Sequence, residues 1–165
     1  MKSVGSHPGA YSFRLILMVI LITILVVKFF SYTDRISKNT ESASVQQTTK
    51  VINSVLVVVF SSYAVNNKLS LLNELNGGNP FIYLANYNLS SVNYKGEIGD
   101  KEIETLSFGW YYDAINKVVI YKSNYEKSLR RFEISLDYDD INRSGEFEQS
   151  FDKFKSLRFS EILRS

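Results

Sequence analysis

The sequence predicts an α+β protein: a long N-terminal transmembrane helix continues into a stalk, and a small antiparallel sheet packs on the helix's distal half. Three observations carry this expectation. Thirteen consecutive residues, Leu15 to Val27, are apolar or Thr. From Leu15 to Leu75 there is neither Gly nor Pro, so nothing interrupts a helix begun in that run. After the breaker Asn76-Gly77-Gly78-Asn79-Pro80 the pattern changes to short aromatic and β-branched runs, some alternating strictly between polar and apolar.

The apolar run alone rises about 20 Å as a helix, against about 30 Å of hydrocarbon. Tyr11, Phe13, Phe29, Phe30 and Tyr32 lengthen it at both ends, and Arg14 and Lys28 bracket it with stems long enough to snorkel. An all-round apolar helix at the start of a 165-residue chain has little protein to hide in, which favours lipid over a buried core position. The run ends in Lys28-Phe29-Phe30-Ser31-Tyr32 without a small-x-small cleavage pattern, so an uncleaved anchor is expected. Flanking charge is nearly balanced, and the short leading tail is consistent with an N-in, C-out orientation. The expected organisation is a cytoplasmic tail at 1–14, a transmembrane helix at 15–32, a periplasmic stalk helix at 33–66 and a periplasmic α+β domain at 67–165.

Within the stalk, Val51 to Tyr63 turns apolar again. Val51, Val55, Val58 or Val59, and Ser62 fall on one helical face, which is expected to pack on the sheet; the alternative for its β-branched, Val-rich core is a buried strand. Lys68 to Leu75 reads as a short helix or last turns. Beyond the breaker the chain reads as strands and turns. Pro80 to Leu84 is a short apolar run, Tyr87 to Gly99 is turn-rich, and Glu102 to Phe108 is a candidate strand. The clearest hairpin pairs Gly109–Asp113 with Lys117–Lys122 across Ala114-Ile115-Asn116, where Asp113 and Asn116 suit the turn. Leu129 to Tyr138 alternates Arg131, Glu133, Ser135 and Asp137 with Phe132, Ile134, Leu136 and Tyr138, one wet face and one dry. For the last segment two readings stand: a helix through Phe147, Phe151 and Phe154, or a strand over Leu157 to Ile162.

The formal net charge is +2, with basic residues spread along the chain beside acidic ones, and this argues against a nucleic-acid partner. There is no cysteine, which excludes disulfides, thiolate metal sites and a Cys nucleophile. The single histidine, His7, has no second candidate beside it and reads as a tail residue. The acidic stretch Asp137 to Asn142 with Gly145, Glu146 and Glu148 invites a calcium reading. However, Ile141 stands where a third oxygen belongs and Asn142 where a glycine belongs. Glu102 with Glu104 reads as one strand face, and Asp139 with Asp140 as a turn. Asn88-Leu89-Ser90 and Asn142-Arg143-Ser144 match the glycosylation sequon, which matters only in a eukaryotic secretory route. Trp110 with Tyr111, Tyr112 and Tyr121 offers either a stacking platform for a ligand or, the preferred reading, cross-strand packing. No catalytic, cofactor-binding or metal-binding residue is assigned, no cofactor is expected, and the chain is read as not an enzyme.

Four segments occur in order: Asn79-Pro80-Phe81 with Leu84, Asn93-Tyr94-Lys95-Gly96-Glu97, Gly109-Trp110-Tyr111-Tyr112-Asp113, and Val118-Val119-Ile120-Tyr121. Together they resemble the periplasmic portion of MSHA (mannose-sensitive haemagglutinin) pilus biogenesis proteins, the MshF-like and pseudopilin-like chains. The resemblance covers about residues 72 to 124. It implies a type IV pilin-like layout, in which Asn-Pro-Phe ends the helix, Gly96 and Gly109 serve strand entries, and the Trp-Tyr-Tyr-Asp hairpin lays aromatic rings against the helix. The pattern departs from a processed prepilin at one point: Gly9 precedes Ala10, but the fifth position from there holds Arg14 in place of glutamate. The function implied is that of a single-pass inner-membrane accessory protein of type IV-like pilus biogenesis, with its C-terminal domain periplasmic. Its partners would be other pilin-like or pilus assembly proteins and the lipid bilayer. The alternatives are a minor pilin or pseudopilin incorporated into the filament, and a membrane-tethered sensor or ligand-binding domain.

Overall fold

A computed structural model describes residues 8–87, 89, 93–99, 105–126 and 129–162. The order of elements is α1 (Pro8–Val65), a 3-10 turn (Leu69–Leu71), α2 (Leu72–Leu75), α3 (Pro80–Asn86), then β1 (Tyr94–Ile98), β2 (Gly109–Asp113), β3 (Val118–Lys122), β4 (Leu129–Asp139) and β5 (Lys153–Glu161). A long N-terminal helix followed by a small sheet is the expected α+β layout. The chain divides into two compact units, Met1–Ala43 and Ser44–Ser165.

In the first unit α1 is a single helix whose side chains from Phe13 to Phe30 are all exposed. None of the residues of its most apolar stretch is buried, and it is the one helix among the described residues long and apolar enough to cross a membrane. Thr23, Ser31 and Thr33 each donate their hydroxyl to the carbonyl four residues back, so these polar side chains present no unmet donor along the run.

The second unit is built on the remainder of α1. Five strands lie in the order β1-β2-β3-β4-β5. The expected hairpin is present, with Trp110 opposite Tyr121 and Tyr112 opposite Val119, and β3–β4 and β4–β5 are also antiparallel. β1 joins β2 in parallel, with a register shift between Tyr94 and Glu97, so the sheet is mixed at that edge. The long β4 serves two neighbours: its first residues pair with β3 and its residues from Phe132 onward with β5.

Strand alternation sends Trp110, Tyr112, Val119, Tyr121, Phe132, Ile134 and Phe159 to one face, where they meet Val45, Ile52, Val55, Leu56 and Val59 of α1 in one core. The buried stripe on α1 is turned from the expected one. Val55 and Val59 lie on it, but Val51 sits at its edge, Val58 is 48% exposed and Ser62 is exposed. Leu72, Leu75, Phe81 and Leu84 close the core from the short helices. On the opposite sheet face Ile98, Tyr111 and Ile120 form a second cluster with Leu106, Val118 and Leu129.

Two local expectations are corrected, and for the last segment one of the two readings is decided. Pro80 to Leu84 is helix α3 and not part of the strand region, because Asn79 caps it and Pro80 stands at its first turn, where a missing N–H costs nothing. Thr105 to Phe108 is not strand: Leu106 folds over the second cluster. For the last segment the strand reading holds, and it starts earlier, at Lys153. The rest of the candidate strand from Glu102, the tail before Pro8, Asn88 and Ser90 lie outside the described residues.

Candidate functional site

Asn79 is 7% exposed, and its side chain is fully used. Its Oδ1 accepts the Phe81 N–H at 3.0 Å, starting α3. Its Nδ2 donates to the Tyr94 hydroxyl at 2.9 Å and reaches Glu97 Oε1 at 3.3 Å, tying the helix start to β1. Asn-Pro-Phe therefore begins a helix as well as following one. Phe81 stacks on Tyr94 with centroids 4.2 Å apart and tilts against Trp110 at 6.0 Å. Trp110 in turn touches Tyr121 at 4.7 Å and Phe132 at 5.1 Å. Tyr112 donates its hydroxyl to the Gly77 carbonyl at 2.8 Å.

The segments singled out in the sequence thus converge on one seam. Trp110 is 2% exposed, so the aromatic group is packing and not an open platform. Gly109 has φ +140°, and a Cβ there would lie 2.8 Å from the Asn93 carbonyl, whose oxygen accepts the Trp110 N–H. The close approach of β1's entry to β2 requires that glycine. Gly96, also at positive φ (+101°), lies at the β1 irregularity.

Asp113 closes the hairpin turn by accepting from Ile115 N–H, Asn116 N–H and the Asn116 amide at 3.0, 2.9 and 2.7 Å. Burial pushes its carboxyl up, but these hydrogen bonds, with the more distant Arg131 charge, outweigh burial and hold it below the ordinary value. Burial pushes the phenols of Tyr83, Tyr94 and Tyr112 up; the Asn79 hydrogen bond opposes this at Tyr94, and nearby Glu97 adds to it at Tyr94 and Tyr112. All three stay protonated at neutral pH and act as donors or packing surfaces.

The acidic stretch after β4 is a self-capped loop. Asp140 accepts from Ser144 N–H and Gly145 N–H, and Asp152 from Ile141 N–H and Glu148 N–H. Asp139 pairs with Lys155 across the strands. Among the described residues no group of three or more His, Asp or Glu is placed to hold a metal ion. His7, Glu102 and Glu104 lie outside the described residues. Asn142 of the second sequon accepts from Ser144 N–H in that exposed loop.

Two further features were not singled out from the sequence. A groove of about 400 Å³ runs between Ser44, Gln47, Thr48 and Val51 of α1 and the strand ends at Trp110 and Tyr121. Among the described residues no charged side chain lines it. On α1, the exposed positions Ser54, Val57, Val58, Ser61 and Val65 are apolar or small, with Val57 61% and Val65 84% exposed. No charge occurs from Val51 to Asn67, a signal the sequence does carry. Compared with known proteins, the chain matches no family model, no curated protein and no solved structure.

Proposed function

We propose that the chain is a single-pass inner-membrane protein whose C-terminal domain lies in the periplasm and which serves the assembly of a type IV-like pilus through protein–protein contacts, without catalysis. The observation that carries this reading is α1. Its first part is apolar on every side, as a lipid-embedded segment must be. Its last part is buried on one side in the sheet's core, while Val57, Val58 and Val65 stand exposed on a face without charge. A helix that faces only water carries Lys and Glu on its outer side, so this face is suited to another helix. The ordered Asn-Pro-Phe, Tyr-x-Gly-Glu and Trp-Tyr-Tyr-Asp segments support the family reading, and their packing role is consistent with a scaffold.

Intact mass and N-terminal sequence of the protein from its native membrane test this first. A Met1 start in the inner-membrane fraction is expected. A start at Ala10 in sheared surface filaments overturns the accessory role in favour of a minor pilin. A photo-crosslinker at Val57 is expected to capture a pilin-like or assembly protein, and capture of none removes the proposed contact face.

A further inference from the structure

The chain contains one Asn-Gly dipeptide, Asn76-Gly77. With no side chain on the following residue, its amide nitrogen meets the least obstruction in attacking the Asn carboxamide. In this fold both residues are tied to β4. From Phe132 onward β4 pairs with β5, and its other edge has been left by β3. Asn76-Gly77 fills that vacancy: the Gly77 N–H donates to the Ile134 carbonyl at 2.8 Å, and the Leu136 N–H donates to Asn76 Oδ1 at 3.3 Å. The Gly77 carbonyl is held by Tyr112 at 2.8 Å.

We propose that Asn76 is a deamidation site kept closed by the α2–β4 junction, so that its conversion records opening of that junction. In the reaction the Gly77 nitrogen loses its proton to solvent base and bonds to Asn76 Cγ. The Cγ–amide bond breaks and, taking up a proton from water, ammonia leaves. The cyclic imide then takes up one water. Cleavage on the Cγ side leaves an aspartyl residue and cleavage on the backbone side an isoaspartyl residue, with no change of oxidation state.

Three features oppose the first step in the folded chain. The Gly77 proton is engaged by Ile134 and is not free for base. The Asn76 carboxamide is anchored on Leu136. The Asn76 ψ of 118° turns the Gly77 nitrogen away from Cγ, and Gly77 is pinned at both its N–H and its carbonyl. Solvent access is not the obstacle, because Asn76 is exposed. Opening the junction removes all three together. An isoaspartyl product adds a backbone methylene ahead of Gly77 and moves its N–H off Ile134, so reclosing is impaired after conversion.

The full chain in detergent micelles, aged at mildly alkaline pH with and without urea, tests this. Peptides spanning Asn76 are quantified by mass, with aspartyl and isoaspartyl forms separated. Deamidation in the native sample is expected to be slower by at least about tenfold, the population cost of a modest local opening. Y112F, which frees the Gly77 carbonyl, is expected to speed both hydrogen exchange at the Gly77 amide and deamidation. Equal rates with and without urea overturn the proposal, as does Y112F raising exchange while leaving deamidation unchanged. Should Y112F fail to fold, the unmodified chain's two rates decide alone.

Discussion

Asn53 shows how much of this domain depends on side chains that imitate backbone. Its Nδ2 donates to the Phe159 carbonyl and its Oδ1 accepts the Phe159 N–H, both at 2.9 Å. Phe159 lies on β5, the outer strand, so the amide occupies part of an edge that would otherwise stand open. Asn73 does the same for Phe147, at 3.0 and 3.1 Å. Asn53→Ala leaves a donor and an acceptor unmet, and is expected to cost about 1–3 kcal/mol in urea unfolding. Asn53→Asp keeps the acceptor but sets an oxygen against the Phe159 carbonyl, and is expected to cost at least as much as the alanine. The pH dependence also belongs at this scale. Asp113 and Glu161 have carboxyls held below their ordinary values, Asp113 by the turn amides against the pull of burial, Glu161 first by its hydrogen bonds from Arg130. A carboxyl depressed by folding stabilises the fold above its unfolded pKa, and that stabilisation is lost as pH falls through its folded value. The urea midpoint is therefore expected to be flat near neutrality and to decline as pH falls below the ordinary Glu value of 4.5 and then the ordinary Asp value of 3.8. Asp113→Asn is expected to flatten part of that fall. None of these asparagine roles was legible in the sequence, since a lone Asn in a helix says nothing of a strand more than a hundred residues away. Asn79-Pro80 was legible, because a cap followed by Pro at the first turn is a start signal; reading it only as a stop hid α3.

The elements divide by how strongly their pattern constrains them. β4 was legible because polar and apolar residues alternate without exception over eight positions from Arg131 to Tyr138. The β2–β3 hairpin was legible because Asp113 and Asn116 bracket its turn, and both do bond there. The phase of α1 was harder to read. Leu56 to Val59 is apolar at every position, so hydrophobicity alone does not say which side meets the sheet. The sheet decides it, taking Ile52, Val55, Leu56 and Val59 and leaving Val57 and Val58 outside. Two substitutions separate the sides. Leu56→Ala, at a position 1% exposed, is expected to destabilise the domain by about 3 kcal/mol through a core cavity. Val57→Lys is expected to change domain stability by less than about 0.5 kcal/mol, as exposed substitutions do. If α1 docks a partner helix by this face, Val57→Lys also abolishes the crosslinks formed by a photo-crosslinker at Ser61, the exposed position one turn on. Loss of stability from Val57→Lys equal to that of Leu56→Ala would mean that the assigned faces are reversed.

At the scale of the whole molecule, the division of the chain does not coincide with the division of the sequence into helix and sheet. The breaker at Asn76 to Pro80 invites a boundary near residue 66, with the helix as stalk and everything after it as domain. The packed core does not respect that boundary. Val45, Ile52, Val55, Leu56 and Val59 are all inside it, and the second compact unit begins at Ser44. The sheet's apolar side chains on its α1 side share one core with these helix residues. Without the helix, Trp110, Phe132 and Phe159 lose their facing layer, and the Phe159 edge loses Asn53. A fragment of residues 44–165 is therefore expected to unfold cooperatively in urea, with near-ultraviolet dichroism from its buried tryptophan. A fragment of residues 66–165 is expected to show no such transition, because removing five core side chains at once exceeds the stability a small domain holds. A cooperative transition in the shorter fragment would show that the sheet and short helices stand alone and that α1 is an attached stalk. Its absence, with the longer fragment folded, makes the helix part of the domain, so that whatever acts on α1 acts on the core that holds the aromatic seam.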